Sequence, residues 1–265
     1  MDKKHRWFLL DSGGGGFDAD YKAILTEATS QGYTLPSSDV QALQNEYLRL
    51  LKSIGVWSLL DEYYCFNSDG DSDFTRINWK NPSERCNISG TVNWTSGAGW
   101  KVPSGSAASS GIIFAKNLLT DSINYTNLNC ACGCYIDDYA DSTPPGDIMG
   151  AGISPNRDLI STFPFSVLHP SPENNPVNIQ PAGANRNHLL ERNGNTVKYW
   201  YNGVLRQTKT QTIGSGTPPN DKLSLFRNLG QGLIDNTTVA MAWSGGSMDG
   251  LEEDFDSAWQ GFFLT

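Results

Sequence analysis

The sequence predicts a mainly β chain, a sandwich or a barrel, with helices at both ends. Three observations carry this. Between residues 74 and 243, short apolar or alternating runs are separated by Gly, Pro, Asn and Ser clusters, a texture of strands and turns. Asn202-Gly203 stands between two apolar runs and marks a tight hairpin, because both turn positions need φ > 0. Only 18% of the 265 residues are charged, against roughly 25% in soluble domains, and Gly, Asn, Ser and Thr fill the difference.

The chain opens with an expected arm at residues 1–17. Trp7, Phe8, Leu9 and Leu10 are apolar, and Gly13 to Gly16 form a hinge behind them. A short apolar segment tethered by glycines suits docking on a neighbour better than joining a core. It is also shorter than the about 7–15 apolar residues of a signal peptide, so none is expected.

Residues 18–65 read as a helical preface. Tyr21, Ile24, Leu25 and Ala28 fall at helical spacing, and Gly32 sits where a C-cap glycine belongs. Ser38 with Gln41 forms a capping-box signature. Val40, Leu43, Tyr47, Leu51 and Ile54 then make an apolar stripe that Gly55 closes. A third helical turn is expected over 56–64, carrying Trp57, Leu60 and Tyr63.

Residues 66–265 are expected to hold the β domain. Its strands fall at 74–79, 91–94, 111–115, 127–136, 158–163, 188–191, 198–201, 204–210, 223–227 and 239–243. A closing helix comes last: Asp249 can cap it, Glu252 sits at its third position, and Leu251, Phe255, Ala258 and Phe262 recur at helical spacing.

Composition narrows the partners. A net charge of −9 opposes phosphate contacts, so no nucleic-acid partner is expected. No apolar run approaches the about 18–20 residues of a membrane helix, so no membrane insertion is expected either. The cysteines are Cys65, Cys86, Cys130, Cys132 and Cys134, an odd number that does not suit a disulfide scaffold. On a strand, Cys130, Cys132 and Cys134 share one face; buried thiols are the plain expectation and zinc the alternative.

Catalytic motifs are scarce. Glu252, Asp254 and Asp256 would align on a strand, but the helical spacing around them places them on a solvated helix face. There is no Gly-x-Ser-x-Gly elbow, and His5, His169 and His188 are the only histidines. No cofactor and no catalytic residue are expected, and the chain is expected not to be an enzyme. Asp69, Asp71 and Asp73 lie in an acidic run that lacks the glycine and glutamate positions of a helix–loop–helix calcium loop. An irregular calcium site there remains beside an acidic turn. Trp94, Trp100 and Tyr201 lie in β segments and are candidate glycan contacts, although about half of any strand's side chains face a core.

Four stretches carry a resemblance. They are Leu-Leu-Lys-Ser-Ile-Gly-Val-Trp-Ser-Leu-Leu at 50–60, Ile-Asn-Trp-Lys-Asn-Pro at 77–82, Val-Asn-Trp-Thr-Ser-Gly-Ala-Gly-Trp at 92–100, and the hairpin at Asn202-Gly203 before an aromatic helix. Over residues 38–262 the chain resembles virion structural proteins of tailed bacteriophages, many from phages of Bacteroides-like hosts. The resemblance implies a concanavalin A-like, laminin-G-like jelly-roll behind a short helical lead. It implies a head-fibre, capsid-decoration or tail-fibre role in the virion. The expected partners are other virion proteins and further copies in a homo-oligomer, with contact to host-surface glycans. The alternatives are a carbohydrate-binding module or adhesin and, further off, a glycoside hydrolase.

Overall fold

Cys130, Cys132 and Cys134 alternate with Ala131 and Tyr135 along β6 (Asn129–Asp138), and that alternation defines the layers. The thiols point into a core between two sheets. Ala131 and Tyr135 point into a second core on the opposite face. None of the five cysteines is in a disulfide, and all are buried. Burial pushes the Cys86 and Cys134 thiols up to about 12, which keeps them neutral and suits packing rather than zinc ligation.

The structure, a computed structural model, describes residues 16–107, 109–126, 128–138, 147–153, 156–161, 186–210, 220–226 and 237–263. Trp7, Phe8, Leu9 and Leu10 of the expected arm lie outside the described residues, as do His5 and His169.

The larger sheet runs β11 (Val204–Thr210), β10 (Thr196–Tyr201), β9 (Arg186–Asn193), β6, β13 (Thr238–Gly245), β4 (Gly99–Lys101), β3 (Asn93–Thr95). β1 (Leu60–Cys65) also pairs with β13. β4 and β1 share one edge of β13 end to end: Val239 faces Trp100, and Met241 faces Cys65. The smaller sheet runs β2 (Asn87–Ser89), β5 (Gly111–Asn117), β12 (Lys222–Leu225), β7 (Asp147–Ile153), β8 (Asn156–Ser161). The two sheets close on Phe114, Ile112, Leu223, Leu225, Tyr199 and the thiols. The result is the mainly β jelly-roll sandwich with terminal helices that the sequence leads one to expect.

The outer face of the larger sheet is covered by helices α1 (Ala19–Ser30), α2 (Ser38–Ser53) and α3 (Glu252–Phe263). Asp18 caps α1, accepting from Asp20 N at 2.9 Å. Ser37, rather than Ser38, caps α2, accepting from Val40 N at 3.4 Å. Tyr21, Tyr47 and Leu51 from the lead meet Tyr63, Met241 and Trp243 of the sheet and Trp259 of α3. Edge-on rings lock the layer: Tyr47 with Trp259 at 5.9 Å and Trp243 with Phe255 at 5.3 Å.

Several local expectations change. Residues 56–64 are not a helical turn throughout: Val56–Leu59 is a 3-10 turn, and Leu60–Cys65 is a strand buried on both faces. A strand packed on both sides shows no alternation, and Asp61 and Glu62 interrupt its apolar residues, so Trp57, Leu60 and Tyr63 fall at helical spacing by accident. Residues 74–79 begin as a 3-10 turn, Phe74–Arg76. Asp71 Oδ1 accepts from Phe74 N at 2.8 Å, and Arg76 pairs with Asp73 at 2.8 Å, so local side chains hold the backbone off the sheet. Leu43 is 43% exposed rather than in the stripe. Gln44 takes the inward position, where Tyr21 OH donates to its Oε1 at 2.8 Å.

Candidate functional site

Two of the three expected glycan contacts are core residues. Trp100 is 5% exposed and Tyr201 is 8% exposed, both between the sheets. Their strands alternate, and these positions fall on the inward phase; Trp100 Nε1 donates to Thr75 Oγ1 at 3.0 Å. Trp94 lies directly opposite Trp100 in the β3–β4 pair and packs against the rim of the same core, but it is only half-buried, and Asn93, Thr95 and Ser96 of its hairpin are exposed. Its Nε1 donates to Phe66 O at 3.0 Å, which fixes the indole. Gly97 N donates to Ser68 O at 2.9 Å and ties the β3–β4 turn to the acidic loop.

In that loop the carboxylates turn to separate partners. Asp69 accepts from Ser37 N at 2.9 Å, Asp71 accepts from Thr34 N at 2.6 Å, and Asp73 pairs with Arg76. Asp69 and Asp71 staple the loop to the segment between α1 and α2, and the three carboxylates do not converge on one point.

Convergence occurs elsewhere. Among the described residues, the carboxylates of Glu191, Asp249 and Glu252 come together, with ligand oxygens within 4.8 Å of one another. Glu191 comes from β9; Asp249 and Glu252 come from the start of α3 and the turn before it. Trp200 Nε1 donates to Glu191 Oε1 at 3.0 Å, while Ser247 Oγ and Met248 N donate to Oε2 at 2.9 and 3.1 Å. Gly250 N donates to Glu252 Oε2 at 2.8 Å. Lys198 from β10 lies 2.6 Å from Asp249, 3.6 Å from Glu191 and 4.0 Å from Glu252. Burial, and then the Glu191 carboxylate beside it, push Glu252 up to about 7. Hydrogen bonding to Lys198 holds Asp249 below the usual carboxylate range.

This corrects the expectation of a solvated helix face. Glu252 and Asp256 are buried against the sheet, one helical turn apart, and only Asp254 faces solvent. Burial raises Asp256 to about 6, beside Asn187 and Gln260. Sequence reasoning missed Glu191. The signal was a Gly-Asn turn, Gly194-Asn195: with Asn193 opposite Thr196, it sets the β9–β10 register that places Glu191 opposite Lys198.

No family model matches the chain, and no curated protein sequence matches it. Solved structures do resemble it. A mutant Trypanosoma rangeli sialidase displaying trans-sialidase activity matches with a TM-score of 0.55 at 12% identity, over 84% of this chain and 39% of that one. Trypanosoma rangeli sialidase in complex with sialic acid matches with a TM-score of 0.52 at 10% identity, over 86% and 40%. The binding domain of Botulinum neurotoxin DC, in complex with rat synaptotagmin II, matches with a TM-score of 0.53 at 11% identity, over 77% and 52%. The chain thus spans about two-fifths of the sialidase chains, 39% and 40%, and at these identities what is shared is the β-sandwich fold. No virion protein is among these three. The expectation that the chain is not an enzyme is overturned by these neighbours: the sialidases are enzymes, and about two-fifths of each chain shares the fold. One of its grounds fails as well: Glu252 is not on a solvated face but buried close to Glu191.

Proposed function

We propose that this chain is a carbohydrate-binding β-sandwich domain whose glycan contact is centred on Trp94. The observation that carries this is the β3–β4 hairpin. A half-buried indole, fixed by its bond to Phe66 O, stands at the rim of the core in a hairpin whose Asn93, Thr95 and Ser96 are exposed. A rigid aromatic face with neighbouring hydrogen-bonding groups suits a sugar ring, which has apolar faces and a hydroxyl rim. The fold supports the reading, because the sialidase that it resembles is seen in complex with sialic acid. The hairpin turn is tied to the loop of Asp69, Asp71 and Asp73, and that acidity disfavours anionic sugars such as sialic acid. Neutral oligosaccharides are the expected ligands.

A glycan array followed by calorimetry tests this. Binding of neutral glycans is expected, weaker for sialylated versions, and reduced by about tenfold or more in Trp94→Ala. Asn93→Ala, at an exposed position, gives a milder loss without disturbing the core. An array with no binder, or binding indifferent to both substitutions, would end the proposal. Release of a terminal sugar in the same incubation would place the chemistry in this chain as well.

A narrower form has the domain carried on a phage particle, anchored by Trp7, Phe8, Leu9 and Leu10. Its support is the sequence resemblance over residues 38–262.

A further inference from the structure

Glu191, Asp249 and Glu252 bring three carboxyl groups to one ammonium, that of Lys198. Two of the three are out of solvent: Glu191 is 1% exposed and Glu252 2% exposed. Glu191 is fixed by donors on both oxygens, from Trp200, Ser247 and Met248, so its remaining lone pairs point in set directions. Glu252 Oε1 takes no N–H or O–H donor, although it is buried, and its carboxyl lies against that of Glu191. Lys198 Nζ stands 4.0 Å from Oε1, beyond hydrogen-bond reach. A buried carboxylate oxygen without a donor is expensive in a low-dielectric setting, and one ammonium cannot reach all three groups at bonding distance.

We propose that Glu191, Asp249 and Glu252 form a binding site for a hard divalent cation of the calcium class, with Lys198 as the competing ammonium. The donor set is all oxygen, which suits calcium or magnesium and not the softer metals that prefer nitrogen and sulfur. Calcium takes about 6–8 oxygens in flexible geometry, so three carboxylates leave room for water. Water has a way in, because the Asp249 side chain is 55% exposed. Lys198 sits at that open side on a flexible stem and can swing out. Gly250 N holds Glu252 Oε2 and leaves Oε1 aimed into the cluster. The positive end of α3 opposes a cation weakly, and carboxylates on three sides outweigh it. A bound ion would join β9 to the start of α3, and so stabilise the folded chain by mass action. The site is separate from the Trp94 hairpin and does not depend on the glycan proposal.

Terbium provides the probe, since Trp200 lies 3.0 Å from Glu191 and its indole can sensitise an ion held there. Titrating the whole chain with terbium while exciting indole is expected to give saturable emission that excess calcium suppresses. Lys198→Met, which removes the competing charge, is expected to tighten binding several-fold. Glu252→Gln is expected to weaken it by about tenfold or more. Trp200→Phe should lose the emission while calorimetry with calcium alone still reports binding. Saturable emission unchanged by both Lys198→Met and Glu252→Gln would overturn the proposal, and so would the absence of saturation. If Glu252→Gln fails to fold, Lys198→Met still decides, because a purely structural ion cluster predicts no gain in cation affinity from it.

Discussion

Single residues in this molecule are informative where they are buried and charged. Glu62 is wholly buried, and it accepts from Tyr64 OH at 2.8 Å, Ala115 N at 2.9 Å and Lys116 N at 3.0 Å. Burial outweighs those bonds and raises its carboxyl from 4.5 to about 7. The folded chain therefore holds the proton more tightly than the unfolded chain. The contribution of Glu62 to stability is complete below pH 4.5, falls as the pH rises, and is lost above about 7. The difference across that window is on the order of 3 kcal/mol. Glu62→Gln keeps the acceptor for the amides and removes the titration. Urea midpoints measured from pH 4.5 to 8 should fall less steeply for the variant than for the parent, since the window closes near 7. Parallel pH profiles would show that Glu62 is ionised throughout. None of this is visible in the sequence, where Asp61-Glu62 looks like a solvated pair; burial comes only from the pairing of β1 with β13.

Elements were legible to the extent that their signals are local. The Asn202-Gly203 turn, with φ of 49° and 66°, joins β10 to β11 as its residue types require. α1, α2 and α3 follow their apolar spacing, and β6 follows its cysteine alternation. Elements that depend on distant partners were hidden. β2 and β4 span only three residues each, too short for a pattern, and β1 was concealed by its burial on both faces. The candidate site was hidden for the same reason, because Glu191 and Glu252 are remote in sequence and meet only through the packing of α3 on β9. That packing makes the hairpin turn part of the helix interface. A Cβ on Gly203 would lie 3.1 Å from the Asp256 side chain. On Gly194, at a similar φ of 59°, it would meet nothing within 4 Å. Gly194→Ala therefore measures the left-handed backbone alone, about 1–2 kcal/mol. Gly203→Ala adds the displacement of Asp256 and should be the more destabilising of the two in denaturant midpoints. Equal effects would mean that the turn and α3 are not coupled.

At the scale of the whole molecule, the helical lead and the sandwich share one structure through β13. Val239 and Ala242 of that strand enter the core between the sheets, while Ala240, Met241 and Trp243 enter the core under the helices. β1 comes directly after the lead and fills part of the same edge of β13 that β4 uses. The sequence suggests a helical preface too small to stand alone and bound to pack on the β domain. The second core shows which residues it covers: Tyr63, Tyr135, Met241 and Trp243 would lose α1 and α2 from above them. Trp259 of α3 packs on Tyr47 of α2, so removing the lead also strips the closing helix of a partner. A chain beginning at residue 16 is expected to unfold in one calorimetric transition, because neither core can open without exposing β13. A chain beginning at residue 55 should bind an apolar dye, lose the near-ultraviolet signal of its packed rings, and show no cooperative transition. If that shorter chain instead melted with the sharpness and midpoint of the longer one, the helices would be an accessory layer, and the sandwich would stand on the core between its sheets alone.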